Sequence, residues 1–147
     1  MDYKLLNEQL IALTSDVSDV ISNLANASAL IFGALDNVNW AGFYILNGDE
    51  LLLGPFQGKP ACTKIKLGSG VCGTAAENDR VLRVADVHSF AGHIACDGDS
   101  RSEIVIPLHK GNAVFGVLDI DSPVLNRFSS EDEEGLKLLA KSIEAIL

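Results

Sequence analysis

The chain has 147 residues, 48% hydrophobic and 21% charged, enough for one domain that buries about 68–70% of the surface its unfolded form exposes. Its formal charge of -9 repels nucleic acid and anionic membranes, and no Lys/Arg cluster offsets it, so a small ligand is the expected partner. The N-terminal stretch MDYKLLNEQLIALTSDVSD is broken by polar residues and has neither a signal peptide's apolar core nor the ~20 apolar residues of a membrane span, which predicts a cytoplasmic protein.

Leu5, Leu6, Ile11, Leu13, Val17, Val20, Ile21 and Leu24 recur at three- and four-residue steps, predicting an opening helix with one apolar side. A second helical stretch, ASALIFGAL, stops at Asp36-Asn37. The period then becomes two: VNWAGFYIL and ELLLGPF flank Asn47-Gly48-Asp49 and predict a β-hairpin, with Trp40, Gly42 and Tyr44 on one face and Ala41, Phe43 and Ile45 on the other. TKIKLGSGVCGTAAENDRVLRVADV predicts a short strand, a glycine-rich turn, a short helix over about 71–77 and a strand over about 81–84. Residues 85–102 carry too few apolar side chains for a core element, and a loop of that length in a compact domain is usually functional. EIVIPLHKGNAVFGVLDIDS predicts a second hairpin turning at Lys110-Gly111-Asn112. RFSSEDEEGLKLLAKSIEAIL predicts a closing amphipathic helix capped by Ser129 or Ser130, with acids in its first turn. The expected fold class is α+β: one domain over residues 1–147, with a largely antiparallel sheet of about five or six strands, terminal helices on one face and functional loops on the other.

Asp119 and Asp121 lie two residues apart at the end of a strand and point the same way, while Ile120 between them implies that the other side is covered. The hairpin brings Glu103, at the start of the neighbouring strand, beside them. Three carboxyls so crowded in a partly dry cleft cannot all ionise, so at least one keeps its proton near neutral pH and becomes a proton donor. Trp40 and Tyr44 are either plain core or the aromatic wall of the same cavity.

Three cysteines, Cys62, Cys72 and Cys96, contain no CxxC spacing, and an odd count does not describe a structural disulfide framework. Each alone reads as a small buried hydrophobe. The segments ANASALIF, NVNWAGFY, LGPFQGKPACTKIKLGSGVCGTAA, HIACDGDSRSEIVIPL and FGVLDIDSP, however, closely resemble the free methionine-(R)-sulfoxide reductases, a family built on the GAF fold. The resemblance runs from about residue 25 to the C-terminus. It implies Cys96 as nucleophile, Cys62 as its resolving partner and Cys72 as an accessory thiol. It also implies Glu103, Asp119 and Asp121 as pocket acids, with Trp40 against the substrate's methyl group and Tyr44 beside it. It implies a cofactor-free reductase of free methionine-(R)-sulfoxide in oxidative-stress repair, reset by a thioredoxin-like reductant and working as a homodimer through the first helix.

Chemically, Cys96 thiolate would attack the sulfoxide sulfur while a carboxylic acid protonates the departing oxygen, and Cys62 would condense with the resulting sulfenic acid. Bridging the two requires Cα atoms within about 7 Å, so the 85–102 loop must close over Cys62. Asp97 and Asp99 oppose formation of the Cys96 thiolate, and Arg101 is the candidate compensating charge. A GAF sensor that binds a ligand without turning it over explains the fold and pocket equally well, but gives no reason for cysteines in two facing loops. The spacing of His88, His93 and Cys96 is not a usual zinc pattern, so no metal site is expected.

Overall fold

Two glycines with positive φ, Gly48 (68°) and Gly111 (64°), turn the chain back on itself where the alternating pattern breaks. The first turn joins β1 (Trp40–Asn47) to β2 (Glu50–Gly58), and the second joins β5 (Ser102–Lys110) to β6 (Ala113–Ser122). Two three-residue strands, β3 (Lys64–Lys66) and β4 (Leu82–Val84), flank them. The computed structural model describes residues 1–94, 96 and 98–147, and in it the six strands form one sheet in the order β3-β2-β1-β6-β5-β4. Every adjacent pair is antiparallel. The two hairpins, remote in sequence, meet where β1 pairs with β6.

The expected opening helix is two helices, α1 (Tyr3–Thr14) and α2 (Val20–Ala34). The apolar spacing runs across 15–19, but Asp16 takes a left-handed φ of 63° and Asp19 caps α2 by accepting from the Ser22 amide, 3.0 Å. Asn23 then donates to the Val17 carbonyl, 2.8 Å, fixing the bend. Val20, Ile21 and Leu24 therefore belong to the same helix as ASALIFGA. Leu6, Leu10 and Leu24 are buried, whereas Leu5, Ile11, Leu13, Val17 and Ile21 remain exposed.

The closing helix, α4 (Ser130–Glu144), takes Ser129 as its cap, with Asp132 completing a reciprocal capping box. Helices α1, α2 and α4 cover one face of the sheet, where Leu24, Ile31, Phe43, Ile104, Leu118, Ile120 and Leu136 are fully or almost fully buried. The other face receives α3 (Gly70–Asn78), which contacts β3, β5 and β6. The 85–102 segment is not wholly without core structure: Val87–Ser89 make one 3-10 turn, and Val87 is fully buried. No helix among the described residues is long and apolar enough to cross a membrane.

Candidate active site

Strand alternation and the register of three strands build the floor of the site. Trp40, Asp121 and Glu103 are paired in one row across β1, β6 and β5; Gly42, Asp119 and Val105 form the next, and Tyr44, Val117 and Pro107 the third. Neighbouring strands lie about 4.7–4.9 Å apart, so Trp40 and two carboxyl side chains stand side by side on the face turned toward α3. Gly42 contributes no side chain between Trp40 and Tyr44, whose rings stack at 5.8 Å, while Phe56 stacks on the indole from β2 at 5.2 Å. Trp40 and Tyr44 line the same cavity as Glu103, Asp119 and Asp121.

Cys72 enters from α3, which starts after a turn made by Gly68 (φ 84°) and Gly70 (φ 63°). Its thiol donates to Glu103 Oε1 at 3.8 Å, and one ligand atom from each of Cys72, Glu103 and Asp119 lies within 4.8 Å of the other two. All three residues are buried, at 4%, 7% and 5% exposure, and Asp121 is half-buried. The cavity they line also meets His93, Ile94 and Cys96 from the long loop. The cavity has a volume of about 50 Å³, several times the about 10–15 Å³ needed for one water, which suits a small molecule.

This crowding raises Asp119, Glu103, Cys72 and Tyr44 alike. Burial, and then the charge of Asp121, lift the Asp119 carboxyl from 3.8 to about 8. Burial first and Asp119 second hold Glu103 well above the usual carboxylate range, and the same two causes push the Cys72 thiol up. Burial is also the main reason that the Tyr44 phenol resists ionisation. Near neutral pH Glu103, Asp119 and Cys72 thus hold their protons. Buried Asp119 Oδ1 has no hydrogen-bond donor among the described residues.

Above this floor lies the Cys62–Cys96 disulfide, with Cα atoms 5.4 Å apart. The segment carrying Cys62 is held by both aromatics: the Trp40 indole donates to the Lys59 carbonyl, 3.2 Å, and the Tyr44 hydroxyl to the Cys62 carbonyl, 2.9 Å. The Cys96 segment is held at Ser100, whose hydroxyl accepts from the Asn39 amide at 3.1 Å. Lys59 Nζ then bridges the two segments through Asp99, 2.7 Å. Asn39, Lys59 and Ser100 were not foreseen. The Asn39–Ser100 and Lys59–Asp99 contacts join residues 61 and 40 positions apart, and no local spacing signals them. Arg101, the expected compensating cation, serves through its backbone, donating to Ser122 and accepting from Val87; the cation placed on this loop is Lys59. Asp97 lies outside the described residues. His88 and His93 meet edge to face at 5.9 Å, while the Cys96 sulfur is bonded to Cys62.

A GAF domain model matches residues 10–147. The free methionine-R-sulfoxide reductase of Escherichia coli (strain K12) is 52% identical over 145 residues, spanning 99% of this chain and 88% of that protein. The structure of the fRMsr of Staphylococcus aureus in complex with substrate superposes with a TM-score of 0.95 at 51% identity, covering 99% of this chain and 95% of the other. The free methionine-R-sulfoxide reductase of Neisseria meningitidis in complex with its substrate gives 0.94 at 42% identity, covering 98% and 87%.

Proposed function

Because the chain belongs to the GAF-fold family of free methionine-R-sulfoxide reductases, oxidoreductases of a small amino-acid substrate, we propose that it reduces free L-methionine-(R)-sulfoxide to methionine in the Trp40–Asp121–Glu103 cavity. The observation that carries this reading is the Cys62–Cys96 disulfide at a cavity that Cys96 lines together with the buried carboxyls of Glu103 and Asp119.

Cys96 Sγ attacks the sulfoxide sulfur, and Glu103, with Asp121 beside it, protonates the oxygen. The protonated oxygen passes from the substrate sulfur to Cys96 Sγ as the S–O bond and the newly formed S–S bond break, so methionine departs with its thioether restored and Cys96 is left as a sulfenic acid. Cys62 Sγ then displaces that oxygen as water, giving the disulfide, and a thioredoxin-like dithiol restores both thiols by exchange. The Trp40 ring packs against the substrate methyl group with Tyr44 as the far wall. Asp119 Oδ1, which has no donor among the described residues, takes the substrate ammonium, and the arriving positive charge favours its ionised form. Cys72, buried and held as a thiol beside Glu103, is an accessory thiol behind this first pair. The exposed apolar residues of α1, Leu5, Ile11 and Leu13, support pairing with a second copy.

The deciding experiment supplies each diastereomer of free methionine sulfoxide with a dithiol reductant to the wild type and to Cys96→Ser. Methionine should form from the R diastereomer alone, and only with the wild type. Release by Cys96→Ser removes the assigned nucleophile, and ligand binding without turnover by the wild type makes the protein a sensor.

A further inference from the structure

The Cys72–Glu103–Asp119 group contains more than a proton donor requires. Its thiol and two carboxyls come from three separate elements, α3, β5 and β6, so their placement does not depend on the long loop. Their ligand atoms already lie within 4.8 Å of one another, and bringing them onto one ion, with Zn–S about 2.3 Å and Zn–O about 2.0–2.2 Å, requires movements of only about 1 Å. Independently, Asp119 Oδ1 is buried with no donor among the described residues, on a residue that lines the cavity. A buried acceptor in that condition is costly until a cation or donor meets it.

We propose that Cys72, Glu103 and Asp119 form a binding site for one zinc-class divalent cation, with the fourth coordination position facing the cavity. A mixed sulfur and oxygen set suits a borderline-soft ion of this kind, whereas magnesium and calcium favour all-oxygen shells. A dication also relieves the crowding of acidic groups against Asp121 that otherwise keeps protons on the floor. Three protein ligands and one open position match an exchangeable site better than a closed structural one. The ion occupies the cavity floor, so bound zinc excludes an amino acid from the same space. The site does not depend on the reductase reading, because its occupancy is observed without turnover.

The Cys62–Cys96 disulfide makes the test specific, since it leaves Cys72 as the free thiol. Cobalt(II) is titrated into the oxidised full-length protein while the thiolate-to-cobalt charge-transfer absorption is followed, and zinc is then added. The proposal expects a band saturating at one equivalent, lost on zinc addition and missing in Cys72→Ser. Asp119→Asn should weaken cobalt binding by no less than the about 10–100-fold that even outer-shell changes cost. A wild type without the band, a band retained in Cys72→Ser, or unchanged affinity in Asp119→Asn overturns the site. Should Cys72→Ser fail to fold, the Asp119→Asn titration decides alone.

Discussion

Asp119 shows how one buried carboxyl couples the site to stability. Its folded-state pKa of about 8 lies above the ordinary 3.8 because burial, and then the charge of Asp121, disfavour ionisation. A raised carboxyl pKa favours the native state most below the unfolded value, and that advantage drains away as pH climbs from 3.8 through about 8. Asparagine carries no such charge. Asp119→Asn should therefore raise the melting temperature above wild type at pH 8.5 by at least about 2–4 °C, the shift that about 1 kcal/mol produces in a domain of this size, with the gain shrinking toward pH 4. Calorimetry across that range checks the sign. The same variant should raise KM for the free amino acid about tenfold or more, as expected for losing a hydrogen bond to a charged group. An unchanged KM would remove the ammonium role. Glu103 behaves differently, since its oxygen accepts from Cys72 and the proton-donor role proposed for it puts the expected cost of Glu103→Gln in kcat.

Among the elements, the β1–β6 seam sets the geometry of the floor, and it tolerates little. Gly116 of β6 pairs with Ile45, and a methyl group added there would collide with the Tyr44 carbonyl oxygen and reach the Ile45 Cα at 3.0 Å. Backbone cannot yield as a side-chain tip does. Gly116→Ala should cost about 1–3 kcal/mol in urea unfolding, the usual range for overpacking, and should perturb the strand that presents Tyr44. This constraint is absent from the sequence pattern, where FGVL reads as a strand with a neutral glycine. The break between α1 and α2 was equally hidden: apolar spacing continues across 15–19, and the left-handed Asp16, the Asp19 cap and the Asn23–Val17 bond separate the two helices.

At the scale of the whole molecule, His109 ties three parts of the fold together. Its Nδ1 meets Glu144 at the end of α4, and its Nε2 meets Asp79 at the C-cap of α3, both at 2.7 Å, while its backbone amide donates to Glu144 at 2.6 Å. The hydrogen bond to Asp79 leads in raising the imidazole above 6.5, burial opposes it, and Glu144 adds to the rise. A histidine so raised stabilises the fold fully below its unfolded value and loses that contribution as pH rises through the folded one. His109→Gln should therefore lower the melting temperature more at pH 6 than at pH 9, an effect readable by calorimetry and moderated by the solvent exposure of the ring. Because the Asp119 and His109 effects share a sign, stability should decline as pH rises above neutrality.

The sequence alone determined the features that follow from local periodicity and turn chemistry. Two hairpins, the capped closing helix, Trp40 with Tyr44 on one side of β1 and Asp119 with Asp121 on one side of β6 all follow from side-chain alternation and from glycine at the turns. Even the meeting of Glu103 with Asp121 was legible, since hairpin register is a local property. Only tertiary structure decided that β1 lies against β6, that Cys72 completes the floor from the opposite side, and that Asn39, Lys59 and Ser100 hold the cysteine segments over it. Those contacts join residues 19 to 81 positions apart, where pairing is chosen by competition among whole faces and no spacing along the chain records the winner.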